Sequence, residues 1–108
     1  MTDYPSEQVL SFIKNYDTCK GPIEDLFDFI IQEWNWPDWG TKKKGRKYEF
    51  HTGGWSGNED IIRAMQDNYL FWGLCWVMSK RGGHYWFEIP IKLTKRCRIK
   101  GKDNDNQK

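Results

Sequence analysis

Apolar positions between residues 6 and 16 lie on one side of a helix. Val9, Leu10, Ile13 and Tyr16 recur at helical spacing, and Ser6, just after Pro5, is suited to cap the start. Asp17, Thr18 and Gly21 break the pattern. A second stripe follows: Ile23, Leu26, Phe27, Ile30 and Trp34 share one side, and Glu24, Asp28 and Gln32 the other. Pro22 suits the first helical position, and Glu24 and Asp25 oppose the helix dipole. The two helices are expected to pack as a hairpin or to flank a sheet. NWPDWG, 35–40, ends the second helix, because Trp36 precedes Pro37. TKKKGRK, 41–47, reads as a basic, mobile loop. The period then changes from helical to alternating. Tyr48 and Phe50 face one way and Glu49 and His51 the other, which predicts a half-buried strand over 47–52.

HTGGWSGNED, 51–60, carries the chain from that strand into another helix. Ser56 and Glu59 match the S-x-x-E capping box, and Ile61, Ile62, Met65 and Tyr69 continue the helical stripe. LFWGLCWVM, 70–78, is apolar at nearly every position and has no period of its own. A strand is expected from about Phe71 or Gly73, because Gly82-Gly83 then supplies a two-residue hairpin turn. That turn sets Lys80 opposite Tyr85, Met78 opposite Phe87, Trp76 opposite Ile89 and Leu74 opposite Ile91, as a core face. Cys75, Val77, Ser79, His84, Trp86 and Glu88 fall on the other face, and a slip of one residue would reverse the assignment. The predicted fold is α+β: two N-terminal helices, then strand–helix–β-hairpin forming a three-stranded antiparallel sheet packed against helices. Residues 1–94 form a single domain, and 95–108 a polar basic tail expected to be flexible.

Length and composition fit this picture: 108 residues, 30% charged and 38% hydrophobic, suit one globular domain. The rings change it. Seven Trp, five Tyr and six Phe accompany a single alanine, Ala64. Large rings serve both cores and binding surfaces, so at least one or two tryptophans should be exposed. A net charge of +2 does not demand a nucleic-acid partner, but it is unevenly spread. Lys42, Lys43, Lys44, Arg46 and Lys47 form one basic patch, and Lys92, Lys95, Arg96, Arg98, Lys100 and Lys102 another. Cys19, Cys75 and Cys97 are odd in number and widely spaced, so neither a disulfide framework nor a zinc site is suggested. No secretory h-region follows Met1 and no long apolar run is present, so no membrane contact is expected and the expected compartment is a reducing cytoplasm.

GGWSGNED resembles a ligand cradle only in part. Glu59 and Asp60 place anions in the first helical turn, and no Lys follows the glycines as a P-loop requires. The stretch reads mainly as punctuation that displays Trp55, Ser56 and Asn58 to a ligand. His51 and His84 lack the H-x-T/S pairing of phosphoesterases, and Cys75 sits in an apolar run as a structural thiol. A metal centre needs three or four ligands. His51, His84, Glu49 and Glu88 supply them only if strand 47–52 lies beside 84–91. No catalytic residue, metal ligand or cofactor is assigned. The informative surface is the second face of the sheet, with Glu49, His51, Ser79, His84, Trp86 and Glu88, and Arg81 and the basic patch at its edge. It suits a polar ligand or a protein partner unless the first helices cover it.

The stretch TGGWSGNEDII, followed by FW, CW and RGGHYWFEI, resembles a set of small proteins encoded by bacteriophages and prophages, generally labelled uncharacterised. The likeness spans about residues 35–91. Gly53-Gly54-Trp55-Ser56-Gly57-Asn58-Glu59 and Arg81-Gly82-Gly83-His84-Tyr85 carry it. It implies a viral protein in the cytoplasm of an infected bacterial cell. Such short accessory proteins often interfere with host enzymes or host defence. The resulting expectation is a binding protein more than an enzyme, either an inhibitor of a host or anti-phage defence component or a sequestrant of a small polar or nucleotide ligand. Homo-oligomers are compatible with it. The alternative is a small nucleic-acid-binding or nucleic-acid-processing protein that uses the basic loop and tail, with rings available for base stacking.

Overall fold

Ser6 opens the first helix, its Oγ accepting from the amide of Val9 at 3.1 Å. The computed structural model describes residues 4–93; the basic tail assigned to 95–108, with Cys97, lies outside the described residues. In chain order come α1 (Glu7–Asn15), α2 (Ile23–Glu33), α3 (Pro37–Gly40), β1 (Thr41–Lys44), β2 (Lys47–His51), α4 (Ser56–Asp67), α5 (Tyr69–Cys75), β3 (Trp76–Lys80) and β4 (His84–Glu88). A short 3-10 turn, Ile91–Leu93, follows. The strands form one antiparallel sheet in the order β1-β2-β4-β3. The fold is α+β as the periods predict, but with four strands and two further short helices, α3 and α5, in the connections.

One face of the sheet carries the core. Tyr48 and Phe50 of β2 and Phe87 of β4 point into it, where they meet Ile13, Leu26, Phe27, Ile30, Ile61, Met65 and Phe71 from the helices. Phe27 is the hub. It stacks on Tyr48 with centroids 4.0 Å apart and lies 5.1 Å from Phe71 and 5.8 Å from Phe87. Removing such a ring costs about 3–5 kcal/mol, so a few large side chains do the work of many small ones.

Several expectations are corrected. The basic segment is not a mobile loop. Thr41–Lys44 pairs with β2 as a fourth strand, turning through Gly45, whose φ of +60° is open to glycine. Backbone pairing needs no apolar side chain, so β1 leaves no alternation to read. The run 70–78 begins as a helix. Asn68 caps α5 by accepting from the amide of Phe71 at 3.3 Å. Its Nδ2 also donates to the carbonyls of Ile13 at 2.9 Å and Tyr16 at 3.0 Å, which ties α5 to the end of α1. Phe71 and Cys75, one helical turn apart, are both buried.

The hairpin also differs in register. Lys80 pairs with His84 and Ser79 with Tyr85, so Arg81, Gly82 and Gly83 all lie in the turn. The same register sets Met78 opposite Trp86, and a bulge at Val77 then brings Trp76 opposite Phe87. Met78 and Lys80 therefore share the face of Trp86 and His84 and not the core. Gly83 cannot be replaced in place: its φ is +82°, and a Cβ there would lie 2.0 Å from Thr52 Oγ1. The capping box is absent as well. Trp55 is the N-cap of α4, its carbonyl accepting from Glu59 at 3.1 Å, and Ser56 is the first helical residue. The αL glycines 53 and 54 deliver the chain to the helix one residue earlier than the S-x-x-E spacing predicts.

Candidate binding surface

The buried helical side chains all meet the sheet on its Tyr48, Phe50 and Phe87 side. Strand pairing therefore fixes what the opposite face presents. His51 stands across from His84, Glu49 from Trp86 and Lys47 from Glu88. Lys42 lies across from Glu49 and Lys44 from Lys47 on the β1 side, and Met78 and Lys80 flank Trp86 and His84 on the β3 side. Lys42, Lys44, Lys47, Met78 and Trp86 line an open hollow of about 390 Å3. The N-terminal helices do not cover this face. It was predicted as an alternating surface, and β2 and β4 place His51, His84, Trp86 and Glu88 together as expected.

A hydrogen-bonded chain runs across it. Glu49 Oε2 lies 2.5 Å from His51 Nε2, and His51 Nδ1 lies 2.7 Å from His84 Nδ1. The Nδ1 contact holds one proton. One ring donates and the other accepts, as their tautomers decide. His84 Nε2 is turned toward the Gly82 turn, where a Cβ would come within 3.2 Å. Partial desolvation pushes the Glu49 carboxyl up, but it is outweighed. The hydrogen bond and charge of His51, the charge of Lys42 and a hydrogen bond from Trp86 together hold it below the usual carboxylate value of 4.5. Glu88 is engaged too, 3.0 Å from Arg46, which also donates to the Ile89 carbonyl at 2.9 Å. Among the described residues no group of His, Cys, Asp and Glu is arranged to hold a metal ion.

Charge on this face is therefore lopsided. Both carboxylates are taken, while Lys42, Lys44, Lys47 and Lys80 form no ion pair among the described residues. Lys44 faces Lys47 directly, an arrangement that destabilises a bare sheet. Lys80 Nζ sits 5.6 Å from the Trp86 ring centroid. Lys43 belongs elsewhere: it points to the helix side and pairs with Asp28 at 3.0 Å. Arg81 is exposed in the hairpin turn.

The other expected site residues are not on this face. Asn58 is 1% exposed and acts as a clamp. Its Oδ1 accepts from the amide of Asn35 at 2.9 Å, and its Nδ2 donates to the carbonyls of Asn35 at 3.2 Å and Thr52 at 3.3 Å. It is structural, not a ligand contact. Ser56 is exposed at the start of α4. Trp55 is half-buried, its ring 4.9 Å from Tyr4, and its indole N–H is buried without a hydrogen-bond partner among the described residues. Cys75 is buried as expected. Burial, with the charge of Glu24, pushes its thiol up to about 12, which leaves no thiolate for nucleophilic chemistry.

The sequence reading missed two residues. Trp36 and Trp39 are 56% and 63% exposed, on a turn whose own fold is strained. Trp36 has φ +59° and ψ +59°, the left-handed region that tryptophan avoids at a cost of about 1–3 kcal/mol. Its neighbours on both sides are fixed, Asn35 by the Asn58 clamp and Pro37 by its ring. Trp39 lies on bare backbone at Gly53, where a Cβ would come within 2.8 Å of its ring. Comparison with protein-family models, curated proteins and solved structures finds no match to this chain. No described helix is long and apolar enough to cross a membrane.

Proposed function

We propose that the open sheet face binds single-stranded nucleic acid. Trp86 is the stacking platform, and Lys42, Lys44, Lys47 and Lys80 hold backbone phosphates. The observation that carries this reading is the lopsided charge around a half-buried indole: four lysines with no ion pair among the described residues lie on the face of Trp86, while Glu49 and Glu88 are engaged by His51 and Arg46. A polyanion relieves the Lys44–Lys47 repulsion, and a base adds ring contact, the pairing that single-strand binders use. His51 and His84 offer polar edges beside the indole, with centroids 5.9 and 6.3 Å from Trp86. Binding of a short labelled oligothymidylate, read by fluorescence anisotropy, tests it. Affinity should fall with salt on a log–log slope of about −2 to −3, the value for three or four phosphates of a single strand. Binding that ignores salt, or that survives Trp86→Ala unchanged, ends this reading.

A protein partner, such as the host or defence component that the phage resemblance implies, is the second reading. It is favoured by a different surface. Tyr69, Leu70 and Trp76 are exposed apolar side chains on α5 and at the start of β3, with Tyr69 82% exposed. Capture of one protein from host lysate that is indifferent to salt and abolished by Leu70→Asp supports it.

A further inference from the structure

We infer that Trp36 and Trp39 form a second site, separate from the sheet face, that takes an organic cation of the quaternary or methylated ammonium class. The two indoles and the bare backbone of Gly53 line an open slot of about 320 Å3. Three independent features hold it ready. Asn58 clamps the strand-like turn at Asn35 through both its amide and its carbonyl. Trp36 is kept in the left-handed conformation, which turns its ring out beside Trp55 with centroids 6.1 Å apart. Gly53, at φ +64°, has no side chain, and a Cβ there would come within 2.8 Å of the Trp39 ring. Strain imposed from outside, on rings that gain nothing from burial, marks a preorganised contact surface and not a packing accident.

Charge selects the occupant. Segments 33–40 and 53–60, which carry the three lining residues, contain Glu33, Asp38, Glu59 and Asp60 and neither Lys nor Arg. Asp60 is paired with Arg63 at 3.2 Å, while Asp38 and Glu59 are exposed. Indole faces present negative potential, and a diffuse cation with a thin hydration shell is the ligand for which aromatic walls and an acidic rim act together. A phosphate or carboxylate is repelled by the same rim. The chemistry is shared by a choline headgroup and a trimethylated lysine side chain.

The experiment is a nitrogen–proton NMR titration of the indole N–H signals of the intact chain with choline chloride, with an acetylated trimethyl-lysine amide, and with 3,3-dimethylbutan-1-ol, the uncharged analogue of choline. Saturable shifts of the Trp36 and Trp39 signals by both cations, at least tenfold weaker with the alcohol, are expected. The tighter of the two cations names the source. Trp39→Ala and Trp36→Gly should each abolish the shifts; glycine tolerates the left-handed backbone, so that variant keeps the turn. Asp38→Asn should weaken binding severalfold, and Trp86→Ala should leave it unchanged. Equal binding of the alcohol, or shifts confined to other tryptophans, overturns the inference.

Discussion

Two aromatic surfaces of this molecule use the same rings in opposite electrostatic settings. On the sheet, Trp86 is supported by paired strands and surrounded by Lys42, Lys44, Lys47 and Lys80. On the turn, Trp36 and Trp39 are held by a buried amide clamp, on segments whose exposed charges are Asp38 and Glu59. An indole by itself says little about its ligand, because it stacks on a base and on an ammonium group alike. The charged rim decides. The supports differ as well. The sheet surface rests on many backbone hydrogen bonds and no strained residue, whereas the turn surface depends on one side chain, Asn58, and on one left-handed tryptophan.

The largest separation between the two should come from Asn58→Ala. It strips partners from the amide and carbonyl of Asn35 and the carbonyl of Thr52, at a cost of about 2–3 kcal/mol. A thermal melt should show the loss as a drop in Tm of roughly 10 °C or more. Below that Tm the variant should lose cation binding and keep oligonucleotide binding. Trp86→Ala should do the reverse. Loss of one stacked base costs about 1–3 kcal/mol, read as roughly a 5- to 150-fold weaker Kd by anisotropy, with the cation titration unmoved.

Lys44→Gln should have two opposed effects. It should flatten the salt slope of oligonucleotide binding by about 0.7 and raise unfolding stability by a few tenths of a kcal/mol, as the cross-strand repulsion with Lys47 disappears. The smallest effect concerns pH. Because Glu49 is held below its ordinary value in the folded state, it stabilises the fold above the unfolded carboxyl value of 4.5. That contribution disappears as pH falls through the lower, folded value. Urea midpoints measured downward from neutral pH should fall less steeply for Glu49→Gln than for the parent chain, and parallel curves would show that the His51 contact contributes nothing.

What could be read from the sequence was whatever repeats. The stripes of α1 and α2, the alternation of Tyr48 with Glu49, and that of Trp86 with Phe87 reported their buried faces correctly, because each element puts one side against the core. Three features carry no period. β1 is held by its partner strand, and its lysines look like any solvated run. The 70–78 segment is apolar throughout, so nothing in its spacing separated helix from strand; the only local signal was Asn68, a good N-cap residue whose bonds to α1 are invisible in one dimension. The three-residue turn exchanged the faces of Met78 and Lys80. Half of the sheet site was therefore legible and half was not. Asn58 looked like a displayed ligand contact because the sequence cannot show that Asn35, 23 residues away, comes to meet it.

The two outer strands of the sheet have a consequence for growth. β1 ends the sheet with consecutive lysines, and β3 ends it with Trp76, Val77 and Met78 at a bulge, its only cation being Lys80. Laid against a copy of itself, β1 would set lysine against lysine. β3 would set tryptophan against lysine and methionine against methionine. A sheet whose one border refuses company while the other tolerates it can pair once and then stop. On these borders, ordered stacking through strand edges would end at two copies and not run on into a fibre.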